Sequence, residues 1–273
     1  MKELTLREIQ NGEAEVLREV VRICDECGLR YYLFYGTLIG AIRHEGFIPW
    51  DDDVDIVMPR PDYEKFIEYV ITHAAEGDRF VLKNYRTDKN YVYPISRYCD
   101  TRYYVDYANT EDYGLGLFVD IYPFDGAGDT VEEVAATQKK RNRLRVLITT
   151  AGKKRFIKSR NGVIRTVGKF LAFIYAKAVG VNSLLRRMDK AAKKIPYESS
   201  KYVSCTMWEV DYYEREWLEP CVLLKFEGEV YRAPGRYDIV LKQCYSDYME
   251  FPPEEERRPH HDYRAYLKDK ENE

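Results

Sequence analysis

Tyr35-Gly36-Thr37-Leu38-Ile39-Gly40-Ala41-Ile42-Arg43-His44, followed after a short connection by Asp51-Asp52-Asp53-Val54-Asp55-Ile56-Val57-Met58, is the stretch that decides how this chain is read. The aromatic run Tyr31-Tyr32-Leu33-Phe34-Tyr35 suits a strand, and Leu38 to Arg43 suits a short helix. Gly36-Thr37 is thus predicted at a strand-to-helix turn. There a missing Cβ admits a phosphate to the backbone, and unpaired N–H groups face an anion. Thr37 adds a hydroxyl, or caps the helix. Extended backbone alternates its side chains, so Asp51, Asp53 and Asp55 fall on one side and Asp52 on the other, with Val54, Ile56 and Met58 toward the core. Carboxylates crowded on one face repel each other by several kcal/mol at low dielectric, a cost that a hard divalent cation such as Mg²⁺ offsets. The pattern reads as a metal-dependent phosphoryl-transfer site. Arg43 and His44, two helical turns beyond the Gly-Thr turn, supply positive charge beside the phosphates.

The run from Phe34 to His44, continued by Gly46-Phe47-Ile48-Pro49-Trp50 and the acids to Asp55, resembles the signature of the LicD-type phosphocholine transferases. These belong to the nucleotidyltransferase-fold superfamily and are related to the fukutin-like transferases. The superfamily pattern is a Gly-Ser or Gly-Thr turn, an Asp-x-Asp pair, and a third carboxylate on a later strand. Here the third is Asp120, in Gly116-Leu117-Phe118-Val119-Asp120-Ile121-Tyr122-Pro123. Similarity continues in Tyr245-Ser246-Asp247-Tyr248-Met249 and Pro252-Pro253-Glu254-Glu255, is weakest between roughly 130 and 200, and departs at Ser246, where the family usually has Gly.

The resemblance implies an α/β fold: a nucleotidyltransferase core with a mixed β-sheet flanked by helices, a basic helical insertion and a C-terminal subdomain. It implies that Asp53, Asp55 and Asp120 are the catalytic carboxylates and hold Mg²⁺ or Mn²⁺, with Asp120 as metal ligand or as base for the attacking hydroxyl. Gly36, Thr37, Arg43, His44 and Asp51 would then meet a CDP-linked donor, CDP-choline before others. His260 and His261 are expected to fold back to the site as phosphate ligands or acid, against the alternative of a solvated tail. The implied reaction moves phosphocholine onto a hydroxyl of a cell-surface glycan, a lipopolysaccharide or teichoic-acid precursor that includes lipid-linked forms. Two other readings stand beside it. One is a nucleotidyltransferase that attaches a nucleotide to a small molecule or protein. The other is a catalytically silent glycan- or nucleotide-binding protein, against which the intact acids argue.

With 273 residues, 45% hydrophobic and 33% charged, the chain has the composition of a globular protein with room for a large core. The boundaries expected are 1–128 for the catalytic core, 129–200 for the basic helical region and 201–273 for the C-terminal part. A formal charge of −3 predicts no general affinity for nucleic acid. Neither an apolar leader nor a spanning apolar run is evident, so a cytoplasmic enzyme is expected, peripheral at the inner membrane face where it meets lipid. Among six scattered cysteines only Cys24 and Cys27 are close, and reduced, partly buried thiols are favoured over half a zinc site.

A first helix is expected to about residue 27, and a second from Pro61. Strands are expected at Phe80-Val81-Leu82, Tyr91-Val92-Tyr93, Arg102 to Val105 and Leu117-Phe118-Val119. Beyond Asp129 the chain turns helical and basic: Val134 to Met188 holds fifteen Lys and Arg and no Asp or Glu. Within it, Gly162 to Lys177 is apolar but interrupted by cations. That suits an interfacial helix on anionic lipid, or alternatively a core helix or a basic wall facing phosphates. The 25 tyrosines permit an aromatic cage for a quaternary ammonium, with Tyr91, Tyr93, Tyr103, Tyr104 and Tyr107 as candidates.

Overall fold

The computed structural model describes residues 1–107, 114–153, 155–158, 162–205, 212–259, 261 and 263–269. Strand β1 (Lys2–Glu3) leads to helix α1 (Leu6–Glu26), whose start is fixed by a capping box in which Thr5 and Glu8 satisfy each other's backbone N–H. One face of α1 buries Val16, Leu17, Val20, Ile23 and Cys24. Then come β2 (Tyr32–Leu33), α2 (Tyr35–His44), β3 (Asp55–Pro59), α3 (Arg60–His73), β4 (Phe80–Lys83), β5 (Ser96–Asp100), β6 (Tyr103–Tyr107) and β7 (Leu117–Gly128). Three helices follow, α4 (Val131–Gly152), α5 (Val163–Val179) and α6 (Val181–Ala192). The described chain closes with β8 (Tyr202–Cys205), β9 (Tyr213–Glu214), the hairpin β10 (Val222–Phe226) and β11 (Glu229–Ala233), α7 (Tyr237–Tyr245) and β12 (Tyr263–Leu267).

The architecture is a mixed α/β fold consistent with a nucleotidyltransferase-like core. Its main sheet runs β2-β3-β7-β5-β4, and β8 adds to the far half of β7 and carries β9. β3 and β7 are parallel, while β5 and β8 pair antiparallel with β7. All twelve residues of β7 are buried, so both its faces are covered, as a central strand requires. Val54, Ile56 and Met58 enter the larger core with α1, whereas Val57 enters a second cluster with Tyr122 and Phe124. Arg60 donates to both oxygens of buried Asp125, at 2.6 and 2.8 Å, and ties α3 to β7. Arg141 donates to Ser204 Oγ and to the carbonyls of Gly126 and Ala192, which ties α4 to the same strand. A second sheet, β1-β12-β6, brings the C-terminal chain back beside the first residues.

Four sequence readings change. Tyr91-Val92-Tyr93 is irregular rather than a strand, with Tyr91 fully buried among Cys99, Leu115 and Leu117; its alternation reflects one aromatic anchor, not a ladder. Strand β5, Ser96-Arg97-Tyr98-Cys99-Asp100, was not expected, because its polar ends mask a strand buried on both faces. Asp51 to Val54 precede β3 as loop, so of the acids only Asp55 lies on the strand. Helix α2 begins at Tyr35, which places Gly36 and Thr37 in its first turn. All six cysteines are thiols outside any disulfide.

Candidate active site

The acids meet α2 because two small contacts permit it. A Cβ on Gly36 would stand 2.6 Å from Asp51 Oδ2, so this position admits only glycine while Asp51 keeps its place. Thr37 Oγ1 accepts the Asp55 N–H at 2.8 Å, and Gln10 Nε2 donates to the Asp51 carbonyl at 2.9 Å. The Phe34 N–H donates to the Asp55 carbonyl, and that of Asp120 to the Val54 carbonyl. Register pairs Asp55 with Asp120 across β3 and β7, which puts both side chains on one face.

These elements enclose a cavity of about 1120 Å³. Its walls are Tyr35, Gly36, Ile39 and Arg43 of α2, the acids Asp51, Asp53, Asp55 and Asp120, and Arg97 of β5. Aromatic walls come from Trp50, Tyr93, Tyr107 and Tyr122, and a C-terminal flap contributes Tyr245, Asp247, Tyr248, Phe251 and His261. Of the tyrosines singled out in the sequence, Tyr93 and Tyr107 reach it. Thr37 does not, since its hydroxyl is committed to Asp55 and the side chain is buried. His44 also stays off the wall; it packs on Phe251 with its pKa held below the usual value by burial and by Arg43. His260 lies outside the described residues.

The electrostatics are those of a site built for a cation. Burial, then Asp53 and Asp52, push the Asp51 carboxyl up to about 8. Burial raises Asp53 to about 6, moderated by His261. Burial, with Asp53 and Asp120, lifts Asp55 well above the carboxylate range, and its Oδ1 is buried with no hydrogen-bond partner. Glu13 of α1 lies fully buried behind the acid loop with both oxygens unpartnered, its carboxyl raised by burial and by the neighbouring aspartates. His261 Nδ1 lies 3.2 Å from Asp52 Oδ1, and its Nε2 is 3.9 Å from Asp53 Oδ2. Burial pulls that imidazole down, but the Asp52 hydrogen bond and the charges of Asp53 and Asp52 outweigh it, so its pKa is raised.

Among the described residues, Asp52, Asp53 and His261 form the set whose ligating atoms lie within 4.8 Å of one another. Asp52 is not itself a wall of the cavity, but the loop before β3 does not send it to the side opposite Asp53 as strand alternation would: both carboxylates meet His261, which lines the cavity. Asp120 is held by Arg97, Nε to Oδ1 at 2.7 Å and Nη2 to Oδ2 at 3.4 Å. Arg97 is itself packed over the rings of Tyr93 and Phe118. Also lining the cavity, Arg43 lies 3.9 Å over the Phe251 ring and donates Nη1 to the Tyr248 carbonyl, while its Nε and Nη2 are buried without a partner. Unpaired buried donors are costly, so an anion there recovers their hydrogen bonds. Arg97, Phe251 and Glu13 escaped the sequence reading, and no local motif marks them; Trp50 stood in the quoted signature without a role.

Residues 28–159 match the model of the LicD/FKTN/FKRP nucleotidyltransferase domain. The chain is 29% identical, over 98% of its length and all of the relative's, to the lipopolysaccharide cholinephosphotransferase LicD of Haemophilus influenzae. A segment covering 15% of the chain is 50% identical to 8% of the human ribitol 5-phosphate transferase FKRP. Another covering 30% of it is 30% identical to an uncharacterized protein of Rickettsia typhi, over 24% of that protein.

Proposed function

Because this chain is a member of the LicD-type family, we propose that it is a transferase that moves a phospho-substituent, phosphocholine from CDP-choline foremost, onto a hydroxyl of a cell-surface glycan precursor. One observation carries the reading: a single cavity has crowded carboxylates on one wall and an arginine with unpaired donors on another. A diphosphate bridging cation and guanidinium fits both walls. The all-oxygen donors and the unpartnered Asp55 Oδ1 suit a hard cation, so Asp53 and Asp55 would hold Mg²⁺ or Mn²⁺, with Asp51 or Asp120 beside them. Such an ion neutralises charge on the diphosphate and on the departing nucleotide.

The chain's own groups do the rest. Arg43 binds the donor's phosphates, while the missing Cβ of Gly36 makes room for the Asp51 carboxylate rather than for a phosphate. Asp120, oriented by Arg97, takes the proton of the acceptor hydroxyl as its oxygen forms a bond to the distal phosphorus, and the bond from that phosphorus to CMP breaks. Tyr93, Tyr107 and Trp50 offer ring faces to a quaternary ammonium.

The deciding experiment supplies CDP-choline or CTP with Mg²⁺ and a glycan acceptor, and measures CMP and pyrophosphate. CMP from CDP-choline, matched by label in the glycan, supports the proposal. Pyrophosphate from CTP with no CMP from any CDP-linked donor would replace it with nucleotidyl transfer, and neither product would favour a silent binding protein.

A further inference from the structure

Away from the cavity, helix α5 carries most of its larger apolar side chains on the side opposite to its packing, Phe173 excepted. Val163, Val167, Phe170, Leu171 and Ile174 succeed one another at steps of four, three, one and three, which at 100° per residue confines them to an arc of roughly 100°. All five are exposed, from 46% for Phe170 to 79% for Val163. The face turned to the protein is made instead by Ala176, fully buried with Leu184, Leu185 and Met188 of α6, and by half-buried Ala172 and Val179, while half-buried Phe173 and one edge of Phe170 pack on Phe156. An ordinary core helix would bury its Phe, Leu and Ile and expose its alanines.

Charge says what covers the stripe. On α5 exposed Lys177 borders the stripe, with Arg165 and Lys169 exposed on the far side, and the connection before the helix exposes Lys153, Arg155 and Lys158 together with Ile157 at 67%. The whole interval from Val134 to Met188 offers these cations no acidic residue. A second copy of the chain would bring two like-charged faces together, whereas an anionic bilayer satisfies cations and apolar side chains at once. No described helix is long and apolar enough to cross a membrane, so the contact lies in the interface plane.

We propose that α5 docks on an anionic lipid surface, with Val163, Val167, Phe170, Leu171 and Ile174 entering the headgroup boundary and Lys177, Lys153, Arg155 and Lys158 contacting lipid phosphates. The docking needs neither donor nor acceptor, so it stands or falls separately from the transferase reading.

The test is sedimentation of the full chain with vesicles of phosphatidylcholine, alone or mixed one-to-one with phosphatidylglycerol. Binding is expected to the mixed vesicles, far less to the neutral ones, and to fall at high salt. Phe170→Ser with Leu171→Ser should lower partition roughly a hundredfold, about tenfold for each side chain. Lys153→Gln, Arg155→Gln and Lys158→Gln together should lower it by a similar factor, about fivefold each. Should a variant lose its fold by circular dichroism, hydrogen exchange of the unaltered protein decides instead: α5 amides gain protection on the mixed vesicles. No binding to mixed vesicles at low salt, equal binding to both vesicle types, or unimpaired binding by both variants overturns the proposal. A dimer that Phe170→Ser and Leu171→Ser abolish, without any vesicle binding, assigns the stripe to a second copy instead.

Discussion

Asp53→Asn should stabilise the metal-free protein while destroying its response to Mg²⁺. In the fold the Asp53 carboxyl is pushed from 3.8 to about 6 by burial and by its neighbouring acids, net of the attraction of His261. Two units at ~1.36 kcal/mol each amount to about 3 kcal/mol. The sign follows from which state ionises first. The folded pKa lies above the unfolded one, so as pH rises the unfolded chain ionises first and the folded state loses relative stability. That cost is absent below about pH 4, grows to about pH 6, and is constant above. Asparagine keeps the shape without the charge, so its advantage should be nil at pH 4 and full at pH 7.5. For a chain of this size, ~2 °C per kcal/mol gives a rise in Tm of about 6 °C. Thermal unfolding in EDTA across that pH range measures it. Adding Mg²⁺ should then reverse the order, because a cation at a hundred times its Kd stabilises the unaltered protein by about 2.7 kcal/mol and the variant hardly at all. A variant less stable than the parent at pH 7.5 in EDTA, a gain independent of pH, or equal stabilisation of both proteins by Mg²⁺ would refute the reasoning.

Asp120→Asn should lower turnover by about 10²–10⁴, the range for a lost general base, with donor affinity close to normal in equilibrium binding; turnover within about tenfold of the parent removes Asp120 from proton transfer. Arg43→Gln should raise the donor's KM, with the acceptor's unaltered, since only the donor's phosphates recover the unpaired Nε and Nη2 donors; steady-state kinetics in each substrate read the difference. Ser246 ends α7 with φ 56° and ψ −104°, a conformation strained for any residue with a Cβ. Ser246→Gly should therefore raise stability by about 1 kcal/mol in denaturant unfolding, and a loss would show that the serine side chain supports this turn.

The serine also illustrates what the sequence alone could show. Resemblance to a family predicts glycine at that position, and the positive φ supplies the physical reason, yet nothing in Tyr245-Ser246-Asp247 betrays the backbone angle. Local chemistry was legible wherever one element carries it. The glycine of α2 beside the acids, and the alternation that sends Ile56 and Met58 of β3 inward, depend on neighbours in sequence. Arg97 depends on more. It reaches Asp120 because β5 pairs antiparallel with β7 in the register that opposes those two residues, and its guanidinium packs on the rings of nearby Tyr93 and of Phe118 on β7. The same is true of His261, which meets Asp52 from 209 positions away once β12 returns between β1 and β6. Both cations touch the acids whose mutual repulsion first suggested a metal, and they offset part of that repulsion. The carboxylates are therefore already partly neutralised by the fold, and the demand for a divalent cation falls most heavily on Asp55, whose buried Oδ1 has no partner among the described residues. If that is right, Asp55→Asn should weaken Mg²⁺ binding more than Asp52→Asn does in a calorimetric titration, even though it is Asp52 and not Asp55 that stands with Asp53 and His261 in the tightest cluster.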